Sequence, residues 1–283
     1  MKIKGQYTEN EIKPCLSVIV ELMTYLKKYR EHIVLVGGWV PYFLYEELNS
    51  KEYRHVGSLD VDLALNFLLI PEQDYQTIAD ILEEQCYKNR KDRKGNIIPA
   101  SYERSFFDKN GIKQTVQVDF LAPEYGGTVK SKRHQRVQEI LARKGRGADL
   151  VFNNYVEREI QAHMPNGAFN EVTVKIANLV SIITMKGFAF DERASEKDAY
   201  DIYWLFKNHP LGEKEIIKEF LKIRHKKLVA QSLSLTKENF KKIDSLGPVA
   251  VANFLEPINN EEKEIIIRDA YEIINRILEQ LKI

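Results

Sequence analysis

The run Gly57-Ser58-Leu59-Asp60-Val61-Asp62-Leu63-Ala64-Leu65 constrains the fold of this chain more than any other segment. Acidic and apolar residues alternate through its centre. That is the period of a β-strand, in which side chains two apart share a face. Asp60 and Asp62 therefore point one way while Val61 and Leu63 pack the other. The apolar flanks make the strand central, so its acids must sit at its end or in a cleft. Like charges that close repel and lose hydration. A divalent cation between them removes both penalties. The pair asks for a metal, and a metal beside a strand end suggests phosphate chemistry.

Two further segments extend this reading. Val34-Leu35-Val36-Gly37-Gly38-Trp39 is a short strand that breaks on two glycines before a helix. Such a turn lets backbone N–H groups approach a phosphate, although a Gly-Gly pair also serves simply as a tight turn. In Thr115-Val116-Gln117-Val118-Asp119-Phe120-Leu121, Asp119 is a lone acid among strand apolars and needs a partner. If this strand lies beside Asp60–Asp62, three carboxylates converge. That is a ligand set for two Mg²⁺ ions about 3.5–4 Å apart. Asp119 would also be placed to take the proton of an attacking hydroxyl.

Alternation and turn residues give strands at 32–36, 59–65, 101–107, 113–121 and 171–175, with Asp108–Gly111 closing a hairpin. Helical spacing covers 9–30, 39–48 and 71–85, then 177–190, 195–207, 213–224, 237–246 and 261–283. Residues 88–96 read as a basic turn and 126–150 as a linker-like stretch. The expectation is an α/β (α+β) protein. An α/β half with a small mixed sheet flanked by helices spans 1–125, and a mainly helical domain spans 126–283.

Global charge excludes little, since 42 Lys and Arg balance 41 Asp and Glu over 283 residues. Local charge says more. Residues 88–95 hold five bases against one acid, a net of +4; residues 126–150 hold seven against two, a net of +5. Two basic patches on a neutral chain fit a polyanionic partner, or else are solvated loops. Cys15 and Cys86 make neither a disulfide framework nor a zinc spacing. The first residues lack the apolar stretch of a signal peptide, and no run reaches membrane-spanning length. A cytoplasmic protein is expected. The six histidines form no ligand spacing, and Trp39, Trp204, Tyr200 and Tyr203 read as packing residues.

The segment 186–201 admits two readings. Ser195 and Asp198 have the spacing of a helix capping box, which explains Asp198 structurally. Alternatively, Lys186 and Arg193 bind a triphosphate while Asp198 orients one of them.

In this order, Leu35-Val36-Gly37-Gly38, Gly57-Ser58-Leu59-Asp60-Val61-Asp62-Leu63, Val118-Asp119-Phe120, Lys186, Arg193 and Lys197-Asp198-Ala199-Tyr200-Asp201-Ile202 resemble the nucleotidyltransferase superfamily that includes DNA polymerase β. They look closest to its AbiEii/MenT-like group, the toxins of bacterial abortive-infection and type IV toxin–antitoxin systems. The resemblance covers about 33–206. It implies Asp60, Asp62 and Asp119 as ligands of Mg²⁺ or Mn²⁺. It implies Gly37, Gly38, Ser58, Lys186 and Arg193 as NTP-binding residues, and Asp198 as the late-motif acid. Gly38 stands where the family often has serine, and residues 49–58 form an insertion. The implied reaction moves an NMP from an NTP to an acceptor. RNA is the acceptor the basic segments favour, a tRNA 3′ end by resemblance, and an antitoxin is the implied protein partner. A small-molecule or protein acceptor, or a non-catalytic regulator on the same scaffold, are the alternatives.

Overall fold

The computed structural model describes residues 3–45, 54–70, 77–124 and 134–283. The chain divides into two compact units. One, Thr8–Val40 with Gly57–Asn178, holds the sheet; the other, Met1–Tyr7 with Pro41–Val56 and Leu179–Ile283, is helical.

The sheet unit opens with α1 (Glu9–Tyr25), started by Thr8, whose hydroxyl accepts the Glu11 N–H. β1 (Ile33–Val36) follows, then α2 (Trp39–Leu44), within which the chain leaves this unit. It returns in β2 (Asp60–Leu65), α3 (Ile78–Glu84), β3 (Tyr87–Lys91), β4 (Ile97–Phe107), β5 (Lys113–Pro123), β6 (His134–Val137), β7 (Ile140–Gly145), α4 (Ala148–Val151), β8 (Tyr155–His163) and β9 (Phe169–Ala177). Among the described residues nine strands form one mixed sheet in the order β3-β4-β5-β2-β1-β9-β8, and the β6–β7 hairpin joins through β7 to β5. β2 runs parallel to β5, β1 to β9, and β5 to β7; the other pairs are antiparallel.

Register sorts the side chains into two faces. Leu35 lies opposite Leu63, Val61 opposite Val118, and Leu63 opposite Phe120. All five are buried, as the inner face of a sheet requires. Glu21 of α1 crosses to this face, where its carboxylate takes Arg104 Nε at 2.9 Å and the Tyr87 hydroxyl at 2.7 Å. The opposite face carries Asp60, Asp62 and Asp119.

The helical unit contains α5 (Leu179–Arg193), α6 (Glu196–Lys207), α7 (Glu213–Ile223), α8 (Lys227–Asn239), α9 (Leu246–Leu255) and α10 (Asn260–Gln280). Every residue of α6 from Asp198 to Phe206 is buried, so this helix is its axis. Phe206 meets Phe220 edge-on at 6.0 Å, and Phe190 lies 6.1 Å from Phe240. α5 and α8 approach closely because Gly187 has no side chain. A Cβ there would lie 2.8 Å from Thr236 Oγ1 and against the Ser232 hydroxyl. Among the described residues no helix is long and apolar enough to cross a membrane.

The mixed α/β architecture agrees with the sequence, but several details differ. The expected division at 125 falls inside the sheet unit. Residues 134–178 stay with the sheet because β7 pairs with β5 and β9 with β1. The sheet is accordingly large rather than small. The described part of the linker-like stretch is the β6–β7 hairpin with α4, while 126–133, with Lys130, Lys132 and Arg133, lies outside the described residues. Of the basic turn expected at 88–96, residues 92–96 form the turn, while 88–91 belong to β3, an edge strand whose outward lysines suit an edge. The strand β8 was masked by its polar side chains, and the segment 237–246 is the end of α8 and a turn rather than a helix. In the helices expected over 39–48 and 71–85, residues 46–48 and 71–76 lie outside the described residues, as do 49–53 of the insertion.

Candidate active site

The acidic locus is built entirely within the sheet unit. Asp62 lies directly opposite Asp119, and Asp60 opposite Gln117, across the parallel β2–β5 pair. Residues opposite one another on neighbouring strands point to the same face. The three carboxylates therefore share one, and all three are half-buried. Antiparallel β1 places Val36 opposite Asp62. The chain then turns at Gly37 in the left-handed region, φ +72°. A Cβ on Gly37 would strike the Asp62 carboxylate, and one on Gly38 would lie 2.9 Å from Ser58 Oγ. The glycine turn thus rests directly on the acidic strand, and any other residue would push the two apart. This close approach also accounts for Gly38 at the position where the family often has a hydroxyl, since Ser58 occupies that space.

Neutral groups hold these acids in place. The Ser58 hydroxyl donates to Asp60 Oδ1. The Ser101 hydroxyl donates to Asp119 Oδ1 at 2.6 Å, and Gln117 Nε2 donates to Asp119 Oδ2 at 2.8 Å. Among the described residues no lysine or arginine forms an ion pair with Asp60 or Asp119. The locus is therefore acidic and oxygen-rich, which fits a hard divalent cation. Among the described residues no three His, Cys, Asp or Glu side chains close into a metal cage. The expected convergence thus exists as a shared face in register, not as a preassembled ligand set. A cage of that kind is not what Mg²⁺ ordinarily uses. It binds through one or two carboxylates, substrate phosphates and retained waters.

A second cluster lies within the helical unit. Lys186, on α5, is buried and bonds Asp198 Oδ1 at 2.8 Å and Asp201 Oδ2 at 2.7 Å. Arg193 takes Asp198 in a fork, Nε to Oδ2 at 2.6 Å and Nη2 to Oδ1 at 2.9 Å. The Ser195 hydroxyl makes no cap bond. Asp198 is therefore engaged by Lys186 and Arg193, and the Ser195 side chain does not close the capping box that the spacing suggested. Lys197 bonds Asp201 and lies over the rings of Tyr7, Tyr200 and Phe254 at 5.6, 5.4 and 5.8 Å.

Burial opposes the ammonium of Lys186, but the charges of Asp198 and Asp201 outweigh it and hold the lysine above its ordinary range. Burial likewise opposes the Asp201 carboxylate, yet Lys186 and Lys197 hold it below its ordinary range. Lys186 is thus a fixed cation and unsuited to act as a base. His55 completes the cluster. Its Nε2 lies 2.9 Å from Asp201 Oδ1, and its ring stacks on Tyr200 at 5.3 Å and meets Trp204 edge-on at 5.0 Å. Burial and the charge of Lys197 push it down to about 3, so it is neutral.

His55 and Asp201 are members of this cluster to which the sequence assigned no site role. Asp201 carried a signal, lying one turn beyond Asp198 on the same helix. His55 carried none, being 146 residues from its carboxylate partner. Trp39 is fully buried core, and Tyr200 and Trp204 pack around His55.

Comparison with known proteins adds an independent line. A family model described as "Nucleotidyl transferase AbiEii toxin, Type IV TA system" matches residues 26–273. None of the curated proteins matches the sequence. A solved structure, an antigenic nucleotidyltransferase-like protein from Paracoccidioides brasiliensis, is similar at 15% identity and a TM-score of 0.44, covering 85% of this chain and 93% of that one.

Proposed function

The chain belongs to the AbiEii family, nucleotidyltransferase toxins of type IV toxin–antitoxin systems, and from that premise we propose that it transfers an NMP from an NTP to RNA in a divalent-metal-dependent reaction. The observation that carries this reading is the in-register face of Asp60, Asp62 and Asp119 beside the Gly37–Gly38 turn.

In this reading Asp60, Asp62 and Asp119 hold Mg²⁺ or Mn²⁺. Bound there, the metal neutralises the charge that develops on the transferring phosphate and leaving group. Gly37 and Gly38 let backbone N–H groups reach the phosphates, with Ser58 beside them. Lys186 and Arg193 supply fixed positive charge for the triphosphate, and Asp198 orients both. The acceptor hydroxyl attacks the α-phosphorus, its oxygen–phosphorus bond forms as the bond to pyrophosphate breaks, and Asp119 receives the hydroxyl proton. Asp119 has lone pairs left for this, since each oxygen accepts one described bond. The basic segments 88–95 and 126–150 favour RNA over a small molecule as acceptor. We place the reaction in the cytoplasm, held in check by a cognate antitoxin.

The test is to mix the protein with each labelled NTP, Mg²⁺ and total RNA, beside Asp60→Ala and Lys186→Ala. Label should enter RNA with the natural chain and drop at least a hundredfold with Asp60→Ala. No transfer to RNA from any NTP would overturn the reading, and label on protein or small molecules would move it to the other acceptors.

A further inference from the structure

The sheet edge beside Asp119 carries a feature that the metal-and-triphosphate reading does not use. Arg90, on edge strand β3, donates from Nη1 to Ser101 Oγ at 3.1 Å. Ser101 is buried and passes its own proton to Asp119 Oδ1 at 2.6 Å. A guanidinium therefore stands two hydrogen bonds from an active-site carboxylate, on the carboxylate side of the sheet. Among the described residues it forms no ion pair with any Asp or Glu. Arginine in a partly buried position ordinarily finds a carboxylate, and this one is held by a serine instead.

The backbone is bent to make the arrangement. The β3–β4 register shifts between Asn89 and Lys91, where a longer stretch of β4 lies opposite Arg90 alone. Within that stretch Ala100 is buried in the left-handed region at φ +66°, a conformation alanine disfavours. Irregularities of this kind re-aim side chains and concentrate at functional sites. Here it precedes Ser101, which lies opposite Asp119. Lys88, Lys91, Arg93 and Lys94 continue the positive charge along the same edge and its turn, all exposed.

We infer that Arg90 is a ligand for a phosphodiester of the acceptor strand, and that Ser101 couples this bound phosphate to Asp119. A single strand laid along the β3 edge would put a phosphate on Arg90 and its reacting hydroxyl next to the carboxylate that receives the proton. Arg90 then distinguishes a polynucleotide acceptor from a free nucleotide. The inference rests on the RNA-acceptor reading and deepens it.

The test is binding, measured without turnover. A fluorescent single-stranded RNA is titrated with the natural chain, Arg90→Ala, Arg90→Lys and Lys13→Ala over a range of salt. The affinity of each for a non-hydrolysable NTP with Mg²⁺ is measured in parallel. The natural chain should show a salt-dependent affinity, and Arg90→Ala should reduce the slope of log affinity against log salt by about 0.7, one single-strand phosphate contact. Arg90→Lys should restore that slope, whereas Lys13→Ala, on the face of the sheet unit that α1 covers, should leave it unchanged. NTP affinity should stay within about twofold throughout. A salt slope identical in Arg90→Ala and the natural chain would overturn the inference while leaving the RNA reading intact. Loss of NTP affinity in Arg90→Ala would overturn it by moving the phosphate to the nucleotide. An RNA affinity of the natural chain that ignores salt would overturn the RNA reading and this inference with it.

Discussion

Asp201→Asn isolates the charge at the centre of the helical unit. Asp201 is fully buried and takes Lys186 at 2.7 Å, the His55 ring at 2.9 Å, and Lys197. Asparagine keeps the shape and an oxygen for one of these partners but removes the negative charge. Lys186 retains Asp198, whereas Lys197 is left among three aromatic rings without its carboxylate. Breaking a buried pair by removing one partner is destabilising by about 3–5 kcal/mol, because the remaining charge stays desolvated. Urea unfolding at pH 7, followed through Trp204 in the same unit, should register a loss of that size, and the melting temperature should fall by roughly 10 °C. Adding Lys197→Met removes the orphaned ammonium while keeping an apolar stem against Tyr7, Tyr200 and Phe254. The double variant should therefore recover about 1–2 kcal/mol relative to Asp201→Asn alone. A loss under about 1 kcal/mol for Asp201→Asn would refute the argument, as would a double variant that is simply the sum of its parts.

Acid should destabilise the natural chain from about pH 6.5 downward. His55 titrates near 3 when folded and near its ordinary value when unfolded, so the unfolded chain binds the extra proton in that window and stability falls as pH falls. The loss runs up to about 1.4 kcal/mol per pH unit and should flatten in His55→Gln, as read by chemical denaturation at pH 7, 6, 5 and 4. Asp201, held below the usual carboxylate range, adds to the loss at still lower pH. Gly187→Ala should lower stability by about 1–3 kcal/mol in a thermal melt, because its Cβ meets Ser232 and Thr236 of α8; alanine's helix preference of about 1 kcal/mol would win only if those side chains yield. Gly38→Ala should cut nucleotide transfer at least tenfold with the fold retained by circular dichroism, since its Cβ displaces Ser58 from beside Asp60.

Much of the sheet was legible because its signals are local. Alternation placed β2 and β5, Asn-Gly placed the β4–β5 hairpin, and both Asp62 and Asp119 stood out as acids inside apolar runs. The strands β3 and β8 were hidden because edge strands carry polar and basic side chains that read as loop. The division of the chain was misplaced for a different reason. Much of the segment after Pro123 has no strong pattern of its own, and it joins the sheet through long-range pairing, β7 with the end of β5 beyond β4 and β9 with β1.

By itself the sequence determined the chemical inventory: two acids on one strand face, a third on another strand, a glycine turn, and a late Lys–Arg–Asp set that marks the family. Covalent spacing suffices for that, because the period of a strand or helix fixes which neighbours share a face. Tertiary structure alone decided what each of those groups is paired with. It set Asp62 opposite Asp119 through the β2–β5 register, pressed the glycine turn onto Asp62 and Ser58, and ran Arg90 through Ser101 to Asp119. It also spent both Asp198 and Asp201 on Lys186 and brought His55 across 146 residues to the same carboxylate. Pairings over such separations depend on packing, and no local pattern encodes which buried charge will meet which partner.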